Sequence, residues 1–130
     1  VYYTGGTFQW PVSSGGTVTS EFGPRSMFGR NFHYGLDIAC SEGTPILACE
    51  AGVVIGAGYS SSMGNYVVIS HGNNVTTTYM HNSAIAVSVG QEVARAQVIA
   101  YAGSTGDSTG SHCHLGVRVN GSYVDPRGFL

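Results

Sequence analysis

The sequence predicts an all-β domain, a sandwich or barrel-like antiparallel sheet, and three observations carry that reading. Only 9% of the 130 residues are charged, and 20 are glycine. Helix-favouring Lys, Glu and Gln are scarce, while Val, Thr, Tyr and Ser are common, as in strands. Short apolar runs alternate with Gly, Pro, Asn and Ser clusters along the whole chain, with no convincing helical period.

The runs follow in order. Residues 8–12 read as a short apolar strand, and 18–22 as another, closed by Gly23-Pro24. Residues 34–39 lead into the turn Glu42-Gly43-Thr44-Pro45, and 46–49 and 52–57 follow. Residues 58–64 are rich in Gly and Ser and read as a polar, flexible loop. Strands 66–70 and 75–80 flank His71-Gly72-Asn73-Asn74, a hairpin signal. Residues 87–89, 92–93 and 98–102 come next, then a Gly/Ser/Thr-rich loop at 103–111. The strand 112–119 turns at Asn120-Gly121 into 122–124, and Asp125-Pro126 ends the pattern.

Length and composition bound the function. One domain spanning 1–130 is expected, without linker or repeat. A net charge of -2 gives no reason to expect nucleic acid as a partner. All five basic residues are Arg, so chemistry that needs a lysine is excluded. No segment has the apolar length of a membrane span. The chain starts at Val1 without a signal peptide, so it is expected to be a domain of a longer precursor. Cys40 and Cys49 flank a turn. Either they form a bridge, worth about 2–3 kcal/mol in the chain-entropy picture, or they are two small buried thiols.

Chemistry concentrates in the histidines. His112 and His114 share one face of a strand, and Cys113 takes the other with Leu115 and Val117. His33 and Asp37 share a face if that stretch is extended. Two neutral His and one Asp are a donor set for catalytic zinc, which keeps a position open for water and lowers the water pKa towards about 7. Which of His112 and His114 binds metal is open from spacing. The other, together with His81, is available to move a proton or steady an oxyanion. His71, in a His-Gly turn, reads as a surface or satisfied core residue.

These residues resemble a known family. Phe22-Gly23-Pro24-Arg25, His33-Tyr34-Gly35-Leu36-Asp37 and Glu42-Gly43-Thr44-Pro45 are similar to the lysostaphin/LytM-type zinc endopeptidases. So are Gly64-Asn65-Tyr66, Thr78-Tyr79-Met80-His81, Gly103-Ser104-Thr105-Gly106, Gly110-Ser111-His112-Cys113-His114 and the closing Val124-Asp125-Pro126. The resemblance implies Zn²⁺ held by His33, Asp37 and His114, with His81 and His112 as a catalytic pair. It implies hydrolysis of peptidoglycan peptides, in stem cross-links or bridges. It also implies an extracytoplasmic protein, secreted or associated with the cell envelope. The implied fold is an antiparallel β-sheet core with a groove walled by residues 22–32, 56–64, 80–87 and 103–111.

Departures are few. Asn82 stands where the family usually has an apolar residue, Ala96 where it commonly has Gly, and Cys113 and Leu115-Gly116 where it has Leu and Phe-Glu. None touches an implied ligand. A non-catalytic member that binds the wall or activates another hydrolase would typically lack one of the five metal and catalytic positions, and all are present here. A biotinyl or lipoyl carrier needs the missing Lys. A histidine phosphocarrier does not explain Asp37. A Cys-His peptidase would need Cys113 on the histidine face, which strand parity denies.

Overall fold

Alternation of apolar and polar side chains does build a two-layer β structure. The computed structural model describes residues 7–24, 32–106 and 110–130. Its strands are β1 (Thr17–Ser20), β2 (Gly23–Pro24), β3 (Phe32–His33), β4 (Leu36–Ala39), β5 (Pro45–Leu47), β6 (Gly52–Ser60) and β7 (Gly64–Ser70). They continue as β8 (Val75–Asn82), β9 (Ala84–Ile85), β10 (Glu92–Val93), β11 (Val98–Tyr101), β12 (His112–Val119) and β13 (Ser122–Val124). A 3₁₀ turn at Pro126–Gly128 follows, capped by Asp125.

The large antiparallel sheet runs β1-β4-β12-β8-β7-β6-β10, with β13 also on β12. A smaller sheet, β5-β11-β9, supplies the second layer. Leu36, Ile38, Val67, Ile69, Tyr79, Cys113, Leu115 and Val117 are fully buried and form one apolar core with Ile46 and Ile99 of the smaller sheet. Each large side chain contributes roughly 1.5–3 kcal/mol on burial. A one-residue slip would turn that whole row outward, so the register is strongly held. The other face of the large sheet is therefore left for Asp37 and His114, which stand opposite each other on β4 and β12.

Four segments differ from expectation. Residues 8–12 form no strand, because Pro11 has no N–H to sustain a ladder. Only a bridge from Val12 to Ile46 remains, although Phe8 and Val12 are buried. Residues 58–64 are not a loop: Gly58 pairs with Tyr66 and Tyr59 with Asn65, so the hairpin extends to a turn at 61–63. The Tyr66 ring lies over Gly56 and Gly58, where a notional Cβ would approach it at 3.5 Å. Residues 87–89 close a turn instead of a strand, since the Gln91 side chain accepts the Ser88 N–H at 3.2 Å. The strand expected from Tyr34 begins only at Leu36.

The thiols and His71 are structural. Cys49 and Cys113 are buried, Cys40 is half-buried, and none is bridged. His71 is fully buried, and its Nδ1–H donates to the Ala51 carbonyl at 2.9 Å. Its Nε2 then accepts from Thr77 Oγ1 at 2.8 Å, which accepts from Tyr79 OH at 2.7 Å. Tyr79 OH accepts the Cys49 N–H at 3.0 Å, so the side-chain polar atoms of His71, Thr77 and Tyr79 are all used. Among the described residues, no helix is long and apolar enough to cross a membrane.

Candidate metal centre

His33, Asp37 and His114 bring their donor atoms within 4.8 Å of one another. His33 Nε2 lies 3.3 Å from Asp37 Oδ2 and 3.4 Å from His114 Nδ1. Asp37 Oδ1 is 2.8 Å from His114 Nδ1. Tetrahedral zinc with bonds of about 2.0–2.1 Å needs donor separations of about 3.3–3.4 Å; the His33–His114 pair at 3.4 Å and the His33–Asp37 Oδ2 pair at 3.3 Å match, while Asp37 Oδ1 sits closer to His114 than such an edge. Two imidazoles and one carboxylate are also the chemistry zinc accepts, and the donor set fits the ion.

The elements place each donor differently. β12 pairs with β4 in a register that sets His114 against Asp37. His33 does not share their strand. The chain bends at Tyr34-Gly35, and His33 sits in the β2-β3 ribbon opposite Gly23. The common face expected for His33 and Asp37 thus arises from this bend, not from one extended strand. Gly35 makes it possible: a Cβ there would lie 2.6 Å from His114 Nε2 and 2.6 Å from the Leu115 carbonyl.

Burial opposes ionisation of Asp37, but hydrogen bonds with His114 and His33 outweigh it and hold the carboxyl well below the usual range. The ligand is anionic at neutral pH. His33 Nδ1 faces the Glu21 carbonyl at 2.9 Å and Ser20 Oγ at 3.1 Å. A carbonyl only accepts, so Nδ1 carries a proton, and a metal would take the Nε2 lone pair in place of the hydrogen bond that Nε2 makes to Asp37.

His81 and His112 complete the cluster. Their ring centres are 5.1 Å apart, and His81 is 6.0 Å from His114. His112 Nε2 is 3.6 Å from Asp37 Oδ1. Each Nδ1–H is tied to a backbone carbonyl at 2.8 Å, Thr105 for His81 and Gly110 for His112. Both therefore turn Nε2 to the shared space. Burial pushes the His81 imidazole towards its neutral form, with the neighbouring His112 and His114 acting the same way against the Thr105 carbonyl.

His81 reaches this space through a bulge. Asn65 pairs with Asn82 and Val67 with Tyr79, so Met80 and His81 together oppose Tyr66. His81 has φ 67°, the left-handed region, and the extra residue re-aims its ring out of the core row. Its N–H donates to the Met63 carbonyl at 2.8 Å.

The sequence marked Asn82 as a departure and Gly64, Asn65, Thr105 and Gly106 as parts of the resemblance, but not their role in bracing this bulge. Thr105 Oγ1 donates to the Asn82 carbonyl at 2.6 Å and accepts the Asn65 N–H at 3.1 Å. Asn82 Nδ2 donates to the carbonyls of Asn65, at 3.0 Å, and Tyr79, at 3.1 Å. Gly64 and Gly106, both at positive φ, let the 103–106 segment press against β7; a side chain on either would collide with the other segment's backbone. Ser20 and Glu21 were missed, and Gly35 was noted without its role in the bend. Small polar residues and backbone carbonyls carry no pattern that marks such roles. Of the expected groove walls, 25–31 and 107–109 lie outside the described residues, while 103–106, 110–111 and the parts near Gly64 and His81 flank the cluster.

Comparison with known proteins identifies the family of the chain. Residues 31–126 match peptidase family M23. The peptidoglycan DD-endopeptidase ShyA of Vibrio cholerae is 40% identical over 121 residues, 90% of this chain and 28% of that protein. A zinc-containing peptidase from Vibrio cholerae has a crystal structure similar at TM-score 0.85 and 38% identity, over 92% of this chain and 39% of that one. The catalytic domain of the antimicrobial peptidase lysostaphin from Staphylococcus simulans is similar at TM-score 0.80 and 33% identity, over 89% and 92%. The chain spans little more than a quarter of the length of the curated relatives it matches.

Proposed function

This chain belongs to peptidase family M23, and from that we propose that it is a zinc-dependent endopeptidase hydrolysing peptide bonds of peptidoglycan, in stem-peptide cross-links or bridges. The observation that carries the reading is the convergence of His33 Nε2, Asp37 and His114 Nδ1, with the Nε2 atoms of His81 and His112 beside them. A bound zinc would supply a Lewis acid for the scissile carbonyl and activate a water at neutral pH.

The chain's own residues do the rest. Asp37 contributes the single negative charge of the ligand set, and the two imidazoles stay neutral. His81 and His112 carry their protons on Nδ1, held by Thr105 and Gly110. One Nε2 takes a proton from the attacking water and passes it to the leaving amine. The other, when its Nε2 holds a proton taken from solvent, donates that N–H to the oxygen where negative charge develops and keeps it when the charge collapses. Cys113 takes no part, since burial raises its thiol pKa well above the ordinary value and its side chain faces the core. Such a substrate puts the site of action outside the cytoplasm.

The test is digestion of purified walls of several cross-link types by the zinc-loaded chain, with new termini identified by mass spectrometry. New amine and carboxyl ends at one peptide bond are expected. Unchanged peptides with full zinc occupancy and native circular dichroism would overturn the reading.

A further inference from the structure

Arg118 differs from the other described arginines. Arg95 meets Glu50 at 3.2 Å, and Arg127 meets Glu21 at 2.9 Å. Arg118 meets no carboxylate among the described residues. Its Nη2 donates to the Gly121 carbonyl at 2.9 Å, and its guanidinium carbon lies 5.3 Å from the centre of the Tyr123 ring. These contacts orient the fork and leave its other N–H groups for a ligand.

The position is on the face that carries the metal centre. His114, Gly116 and Arg118 alternate with the buried Cys113, Leu115 and Val117. Their partners on β8 are Met80, Thr78 and Thr76, in unbroken register. Four residue steps along the strand separate Arg118 from His114, about 13 Å. Between them stands Gly116, where a Cβ would come within 3.2 Å of the Tyr123 ring. The absent side chain lets the Tyr123 ring lie against the sheet between the two ends, where it packs on Tyr34 at 5.7 Å between ring centres and floors the path from one to the other.

An open cavity of about 470 Å³ adjoins Arg118, lined by Asn74, Thr76, Asn120 and Gly121. The two turns that supply it are tied together, since the Asn120 N–H donates to the Asn74 carbonyl at 2.9 Å. Its side chains are a guanidinium, two amides and a hydroxyl, with no carboxylate. That is a donor-rich, positively charged lining on a chain of net charge -2.

We propose that this cavity is a carboxylate-binding subsite. Arg118, with Thr76 and the two asparagines, takes a free carboxylate of the substrate about four extended residues from the bond cut at the metal centre. The guanidinium fork suits a carboxylate in two-point contact. The proposal rests on the peptidase reading and narrows the substrate to peptides that carry such a charge at that distance.

The experiment uses synthetic peptides with a carboxylate two, four or six residues from the cleavable amide, each beside its carboxamide analogue. In one set the carboxylate is C-terminal, and in the other it is a glutamate side chain, so the two sources are told apart. Affinity is read by fluorescence anisotropy on zinc-loaded His81→Ala protein, and KM and kcat on the wild type. At four residues the carboxylate should bind roughly five- to twentyfold more tightly than the carboxamide, in KM and not in kcat. Arg118→Gln should abolish the difference, and Arg118→Lys should keep part of it, with zinc content unchanged and native circular dichroism in both. Equal binding of the two analogues by wild type, or a difference that survives Arg118→Gln, would overturn the subsite. Arg118-dependent binding without cleavage of any peptide would support the subsite and count against the endopeptidase reading.

Discussion

Thr105→Val tests whether the brace behind His81 matters to catalysis. Valine keeps the shape of threonine and removes one oxygen. Two hydrogen bonds go: Thr105 Oγ1 to the Asn82 carbonyl at 2.6 Å, and the Asn65 N–H to Thr105 Oγ1 at 3.1 Å. The Asn82 carbonyl keeps its bond from Asn65 Nδ2 at 3.0 Å, but the Asn65 N–H is left without this partner. One lost bond and one orphaned, part-buried donor amount to about 2–3 kcal/mol against the local arrangement. The same segment holds the His81 ring through the Thr105 carbonyl at 2.8 Å. A displacement near 1 Å of a catalytic group costs about 100-fold, so kcat should fall by roughly 10- to 100-fold. KM and zinc content should hardly move. Thr105→Ser, which restores the hydroxyl, should recover most of the rate. The assay is steady-state cleavage of a fluorogenic peptide, with metal analysis on every sample. In a His81→Ala background, Thr105→Val should add little, because the group it positions is gone. An equal loss in both backgrounds would refute the positioning argument.

Asp37→Ala removes the only anionic ligand, so zinc occupancy by metal analysis should drop strongly; full occupancy would sink the ligand assignment. His81→Ala and His112→Ala should keep zinc and lose turnover by about 10²–10⁴-fold each, and loss of metal in both would make them ligands instead. Cys113→Ala should cost about 1–2 kcal/mol in urea unfolding with the rate per zinc-loaded molecule unchanged; a large rate loss at matched zinc would make the thiol catalytic. Burial disfavours the charged form of His71, more than the Ala51 carbonyl and Glu50 favour it, so its folded pKa lies below the ordinary value. The unfolded chain then binds that proton first, and the stabilisation is present above about pH 6.5 and lost as the pH falls below it. Urea midpoints between pH 7.5 and 5.5 should therefore fall, and His71→Gln should flatten the slope; an unchanged slope would exclude His71 as its source.

Local pattern was enough for much of this fold. Period-two alternation put Cys113, Leu115 and Val117 in the core and His114 on the open face, because burying that row outweighs any other register. The Asn120-Gly121 turn was legible because both residues sit at positive φ, 52° and 83°, which few pairs tolerate. Other features were decided by contacts between segments far apart in sequence. The 58–64 stretch has loop composition, yet cross-strand pairing to 64–66 makes it a hairpin. His33 meets Asp37 because Gly35 lets the chain bend against His114, a clash that no composition reveals. His81 follows Tyr79 by two residues, and strict alternation would send it into the core beside that ring. A bulge held by the Met63 carbonyl, Thr105 and Asn82 turns it to the metal face instead. The sequence by itself therefore determined which residue types were available for zinc chemistry and which strand faces they could occupy. Tertiary structure decided which histidines converge, since convergence depends on bends and bulges braced by distant partners, 17 to 40 residues away at the His81 bulge and 81 residues between His33 and His114.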